Sequence, residues 1–232
     1  MIIGIAGNIN SGKDTVASII NYIHSVGKNN ATFSEWKIKQ TAFDNSYSHK
    51  VIHFADIIKS NLANIFCLSV DAFNNRKFKD ELWYIPSTGK FIEEEEIKSY
   101  HKKVTNDNDF EFNCSNPNHI IKLRTLLQMY GEHCKSLFGE YVWTKSTINQ
   151  AKYINIAHKI CIIPDVRFDQ EVVSIKANGG IIIKLNRPNG EIKSNHNSEN
   201  NNLDYDYIIE NDGTLSNLFY KVLAIYDKIK NK

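Results

Sequence analysis

The chain has 232 residues, of which 42% are hydrophobic, enough for one sizeable packed domain with insertions and too many for wholesale disorder. Its 28 basic and 26 acidic residues leave a net charge of +2, so there is no general field for nucleic acid or a membrane surface. Cys67, Cys114, Cys134 and Cys161 include no close pair for a metal or redox bridge and read as buried thiols of a reducing compartment.

Ile2–Ala6 is a short apolar run bounded by glycine, expected as a buried strand. No basic leader or long apolar run precedes it, so the expectation is a cytoplasmic protein (a host's cytoplasm if the chain is virus-encoded). A helix is expected from about Gly12, with Val16, Ile19, Ile20 and Ile23 on one face and Gly27 as its stop. Residues 28–50 are polar with scattered aromatics and read as an irregular insertion. Val51–Ala55 is expected as a second strand and Asp56–Phe66 as a helix. Residues 71–118 are charged and too long for a simple loop. They read as a mobile, partly helical insertion, and their acidic run Glu93–Glu96 as a solvated helix face, not a metal site.

Apolar residues at Ile120, Leu123, Leu127, Tyr130, Cys134 and Leu137 have helical spacing over 120–138. A further helix covers Thr144–His158. Ile160–Ile163 reads as a buried strand with Asp165 at its C-terminal end. Then come helix Gln170–Asn178, strand Ile181–Leu185, a polar loop over 187–204, strand Tyr207–Glu210, a turn at Asn211–Gly213 and a last helix from about Leu215. Strands alternating with helices predict one α/β domain, a parallel sheet with helices on both faces. Ligands of such sheets sit at the carboxyl ends of the strands.

Gly7-Asn-Ile-Asn-Ser-Gly12-Lys13 fits the P-loop pattern G-x-x-x-x-G-K, after a predicted strand and before a predicted helix. Backbone N–H groups of such a loop wrap a triphosphate, the helix N-terminus adds partial positive charge, and Lys13 reaches the β- and γ-phosphates. The expectation is an ATP-binding phosphotransferase with its cradle at Gly7–Thr15, including Asn10 and Ser11. Where the general pattern has a Mg²⁺-binding Ser or Thr, this chain has Asp14, followed by Thr15. Two readings stand. Asp14 binds Mg²⁺ directly or through water, or it caps the helix start while Thr15 serves the metal.

Asp165-Val-Arg167-Phe-Asp-Gln-Glu171 is the second constellation. Asp165 follows a buried strand, where a carboxylate can hold Mg²⁺ or a water; Arg167 is a donor fork suited to phosphate, and Glu171 can orient it. A structural ion-pair cluster is the alternative. Lys59, Arg124 and Gln128, each singly a solvated residue, together would form a second, acceptor-side basic group, and Arg187 could reach the ATP side. Tyr141 and Trp143 read as core before they read as a base-stacking platform.

These residues together resemble the deoxynucleoside monophosphate kinases of tailed phages. The match runs through Ser11-Gly-Lys-Asp-Thr15, Ile58-Lys59, Arg124-x-Leu-Leu-Gln128-x-x-Gly131, Trp143 and Pro164-Asp-x-Arg-x-Asp-x-Glu171. It continues through Arg187-Pro188, His196-x-Ser-Glu199 and Ile209-x-Asn-Asp-Gly-Thr-Leu215. The Lys13-Asp14 pair belongs to the resemblance, so it is no defect. The resemblance implies a nucleoside monophosphate kinase-like P-loop fold and Mg²⁺-assisted transfer from ATP to a dNMP. It implies that Ile58, Lys59, Arg76, Arg124, Trp143, Asp165, Arg167 and Glu171 face the acceptor nucleotide, with Gln128 and Gly131 bordering its base. It makes 71–118 a substrate-side region. Lys13, Arg124, Asp165 and Arg167 would be the catalytic group. The implied partner is a small-molecule nucleotide, without nucleic acid or membrane; a homodimer is left open.

Two other readings are carried. Animal-type phosphomevalonate kinases are similar at Ser11–Asp14, Asp165-x-Arg167, Ser198-Glu199 and Ile209-x-Asn211, but the Arg124–Gly131 block and Trp143 suit a base better. A non-catalytic ATP-binding module would keep Gly7–Thr15 and need neither Arg124 nor Arg167.

Overall fold

The computed structural model describes residues 1–46, 50–86, 88–93, 96, 120–188 and 204–231; the side chains of 40–46 and of Arg76 are outside that description. Cys114, much of 71–118 and the block His196–Glu199 thus lie outside the described residues.

In chain order the elements are β1 (Ile2–Gly7), α1 (Lys13–Val26), a 3-10 turn (Lys28–Asn30), α2 (Phe33–Ser46), α3 (Asp56–Phe66), α4 (Val70–Asn74), α5 (Arg76–Glu81), β2 (Leu82–Ile85), β3 (Lys90–Glu93) and β4 (Ile121–Lys122). They continue with α6 (Leu123–Phe138), α7 (Val142–His158), β5 (Cys161–Val166), α8 (Asp169–Ala177), β6 (Ile181–Asn186), β7 (Tyr207–Glu210) and α9 (Leu215–Lys230). The chain divides into two compact units, Met1–Phe54 with Trp143–Lys232, and Ala55–Val142.

The first unit is built on a parallel sheet of order β5-β1-β6-β7. Side chains alternate across a strand, so successive apolar residues serve opposite layers. Ile3, Ile5, Ile162, Ile183, Leu185 and Ile209 pack with Val16, Ile19, Ile20 and Ile23 of α1 and Leu218, Phe219 and Val222 of α9. Ile2, Ala6, Cys161, Ile163 and Ile182 face the other way, onto Ile148 and Ala151 of α7 and Val172 and Ile175 of α8. The β1, 161–163 and 181–183 runs are therefore continuously apolar, because both faces are covered, whereas the edge strand β7 buries Ile209 and exposes Ile208.

Two expectations fail here. The 28–50 stretch is not an irregular insertion throughout: α2 occupies Phe33–Ser46, with Phe33 edge-on and Trp36 tilted against Phe219. Among the described side chains of α2 these two aromatics, one turn apart, are a short stretch for periodicity to reveal. Val51–Ala55 is not a strand. It shrinks to a single parallel bridge from Val51 to Ile162, with Ile52 N donating to Ile162 O at 3.0 Å. Two residues on, the Phe54 N–H is taken by the Asp165 carboxylate instead of a ladder carbonyl.

The second unit packs Leu62 and Ala63 of α3, Phe73 of α4, Leu82 of β2 and Leu123 of α6 together. Its antiparallel sheet has order β3-β2-β4. None of these strands was expected. Ile120–Lys122 continue the helical spacing of α6 in sequence, yet Ile121 and Lys122 pair with Tyr84 and Trp83 of β2, so the helix begins at Leu123. Leu137, expected on the buried stripe, is 62% exposed. Cys134 and Cys161 are buried, whereas Cys67 is exposed. Burial pushes the Cys161 thiol up to about 12, an unreactive thiol. Among the described residues no helix is long and apolar enough to cross a membrane.

Candidate active site

The loop from Gly7 to Lys13 leaves the C-terminal end of β1 in the middle of the sheet and opens α1. Its shape needs small residues. A Cβ on Gly7 would stand 2.6 Å from Leu185 O and 2.8 Å from Ser11 Oγ. Gly12, the N-cap of α1, has φ +99°, and Asn10 takes φ +62°, a left-handed conformation asparagine tolerates. Ser11 N donates to Asn8 O at 3.1 Å, tightening the turn. Lys13 Nζ folds over the loop and donates to Gly7 O at 2.7 Å and Asn8 O at 2.6 Å. Ser11 Oγ is buried with no hydrogen-bond partner among the described residues.

Two side chains reach this loop from its far side. Arg187 Nη1, after β6, donates to Asn10 O at 3.0 Å. Asn211 Nδ2, after β7, donates to Ser11 O at 2.8 Å. Gly12, and not Asp14, holds the N-cap position of α1. The Asp14 carboxylate is 89% exposed, with His53 Nε2 at 3.6 Å. Thr15 is half-buried in the same turn.

Asp165 lies near the C-terminal end of β5 and accepts the Phe54 N–H on both oxygens, at 3.3 and 3.2 Å. Arg167 is exposed two residues on. Glu171 acts mainly on the backbone, with the Arg167 guanidinium a lesser favourable charge beside it. It accepts the backbone N–H of Arg167 at 2.6 Å and of Phe168 at 3.1 Å, fixing the segment that carries Arg167 at the start of α8. Burial raises the Glu171 carboxyl to about 7, against the two N–H groups that favour its charged form. Trp143 is half-buried in the first turn of α7.

The remaining candidates belong to the second unit. Lys59 Nζ bonds Asp56 Oδ1 at 3.1 Å and Asn74 Oδ1 at 3.0 Å. Ile58 packs against the Leu62–Leu123 cluster. Arg124 is gripped by Asp80 through Nε at 2.5 Å and Nη2 at 3.0 Å. Gln128 is exposed one turn along α6, and Gly131 is buried in it. Arg76 is the first residue of α5.

The structure therefore brings Gly7, Asn10, Ser11, Gly12, Lys13 and Arg187 into one contact network, and holds Asp14 and Thr15 in the turn that follows. Sequence reasoning missed His53 and gave Asn211 no role. His53 has no motif around it to find; Asn211 stood in plain view in the Ile209-x-Asn211 block.

No curated protein matches the chain. A family model does, over residues 1–222, and its description is Deoxynucleotide monophosphate kinase. That breadth sets aside a non-catalytic module and, with an α/β sheet and a glycine-containing loop at the end of β1 consistent with a P-loop kinase, means that the chain belongs to the deoxynucleotide monophosphate kinase family, an enzyme family.

Proposed function

We propose that the chain transfers the γ-phosphoryl group of ATP, bound with Mg²⁺, to a deoxynucleoside monophosphate. An oxygen of the acceptor phosphate attacks the γ-phosphorus, the bond to the β-bridging oxygen breaks, and a diphosphate and ADP leave. The acceptor phosphate has a second pKa of about 6, so it is largely ionised near neutral pH and needs no strong general base. Positioning and charge stabilisation supply the rest.

The observation that carries this reading is the loop itself. A Cβ on Gly7 would crowd it, a buried Ser11 hydroxyl has no described partner in it, and its lysine already bonds loop carbonyls that a phosphate would compete with. Gly7–Thr15 would take the triphosphate, with Lys13 on its β- and γ-oxygens. Asp14 and Thr15 would hold Mg²⁺. Mg²⁺ ordinarily keeps several waters and takes one or two carboxylates plus substrate phosphates, a demand the exposed Asp14 carboxylate fits. Mg²⁺ would neutralise charge developing between the β- and γ-phosphates.

For the acceptor, Lys59, Arg76, Arg124 and Arg167 would supply cationic contacts, with Asp165 and Glu171 keeping the Arg167 segment in place. Trp143 would stack on the base, bordered by Ile58, Gln128 and Gly131. The chain is taken as one kinase domain whose 71–118 region serves the acceptor.

A coupled ADP-release assay over dNMPs, NMPs and phosphomevalonate tests the reading. Turnover with at least one dNMP is expected. Turnover with phosphomevalonate and with no dNMP would overturn it.

A further inference from the structure

We infer that Asn211 is a positioning residue for the donor nucleotide, acting through the Ser11–Gly12 peptide of the loop. The inference rests on the reading of Gly7–Thr15 as the ATP site and adds a residue to which no role has been assigned.

A peptide group is planar and trans, so its C=O and N–H point in opposite directions. Asn211 Nδ2 holds the Ser11 carbonyl from the β7 side at 2.8 Å. Holding that carbonyl fixes the Gly12 N–H on the opposite side of the same plane. Gly12 begins α1 with φ +99°, a glycine-permissive conformation in which this peptide could otherwise rotate at little cost. The contact is tight: a Cβ on Gly12 would stand 3.0 Å from Asn211 Nδ2. An oxyanion's binding energy depends on donors that need no reorganisation when it arrives.

Asn211 is itself braced. Its own N–H donates to Asn186 O at 2.7 Å, joining the ends of β6 and β7. On either side of it, Lys221 Nζ of α9 bonds Glu210 O at 2.7 Å and Asp212 Oδ1 at 2.5 Å. Thr214 then caps α9 through the Asn217 N–H at 3.2 Å. The turn is thus anchored to the sheet and to a helix, and its single amide reaches out to the loop. Asparagine suits this place: serine is too short, and an aspartate would set oxygen against the Ser11 carbonyl.

The test uses the full chain with Asn211→Ala and the isosteric Asn211→Asp, which preserves packing if the alanine variant folds poorly. Affinity for ATP with Mg²⁺ and for the accepted dNMP is measured by calorimetry, alongside thermal midpoints. A lost neutral hydrogen bond corresponds to about a five- to tenfold weaker ATP affinity in Asn211→Ala, with a larger loss in Asn211→Asp and dNMP affinity within twofold of wild type. ATP affinity unchanged in both variants overturns the inference. Equal loss for ATP and dNMP with a lowered thermal midpoint overturns it too, leaving Asn211 a residue of general stability. A wild-type chain that binds no ATP overturns the donor-site reading as well, and so is distinguishable from failure of this inference alone.

Discussion

Lys13 makes its described contacts through Nζ, to two loop carbonyls, and is not part of either core layer of the sheet. Truncating it should leave folding intact and remove charge stabilisation. Lys13→Ala is expected to lower kcat by about 10²-fold or more with a native circular dichroism spectrum; near wild-type turnover would refute the phosphate role. Glu171 is the opposite kind of residue, buried and holding backbone. Its folded pKa of about 7 lies above the ordinary 4.5. The folded state therefore binds its proton more tightly than the unfolded chain does. The stabilisation this brings is fully present below about 4.5 and is lost as pH rises through about 7, on the order of 3 kcal/mol over that window. Glu171→Gln keeps an acceptor for the Arg167 and Phe168 N–H groups but cannot titrate. Thermal midpoints measured from pH 4.5 to 7.5 should fall less steeply in the variant; parallel curves would show that Glu171 does not titrate there.

At the scale of elements, α6 sorts its residues by face: Leu123, Gly131 and Cys134 are buried, whereas Arg124 and Gln128 are exposed at i and i+4. The Arg124–Asp80 pair is about half-exposed on both sides, and such surface pairs contribute about 0–1 kcal/mol to stability. A charge-assisted phosphate contact is worth more, about 1.5–3 kcal/mol. The two roles separate by size. Arg124→Ala should lower kcat/KM for the dNMP by roughly ten- to a hundredfold, with only a small change in thermal midpoint and in ATP affinity. Calorimetry showing an equal loss for ATP would move Arg124 to the donor side. Elements are also where local pattern misled. Among the described side chains of α2, Phe33 and Trp36 pack on Phe219, and β4 borrows two residues from a helical run because β2 offers them partners.

For the whole molecule, ligand binding and folding are linked, since a ligand that binds only the folded chain stabilises it. At a hundred times Kd this amounts to about 2.7 kcal/mol. ATP with Mg²⁺ and a dNMP should each raise the thermal midpoint of the wild-type chain. Trp143→Ala should keep the shift caused by ATP and lose most of the shift caused by dNMP, because stacking of a base on an aromatic is worth about 1–3 kcal/mol. Retention of both shifts would return Trp143, already half-buried at the start of α7, to the core.

The sequence by itself determined the parallel sheet, the α1 and α9 faces, the loop at Gly7–Lys13 and the family. Each depends on neighbours in sequence: a continuous apolar run, a helical stripe, glycines at fixed offsets. Tertiary structure decided the rest. The acidic and charged stretch after Val70 holds strands β2 and β3 because Trp83 and Tyr84 pair with Lys122 and Ile121, nearly forty residues away. Glu171 holds the peptide N–H groups of Arg167 and Phe168, because buried backbone donors at a helix start need an acceptor. Asn211 meets Ser11 across 200 residues of chain, a contact made only because β7 lies in the same sheet as β1, one strand removed. Periodicity carries information over a few residues; a hydrogen bond between the ends of two strands exists only once the sheet has set their order.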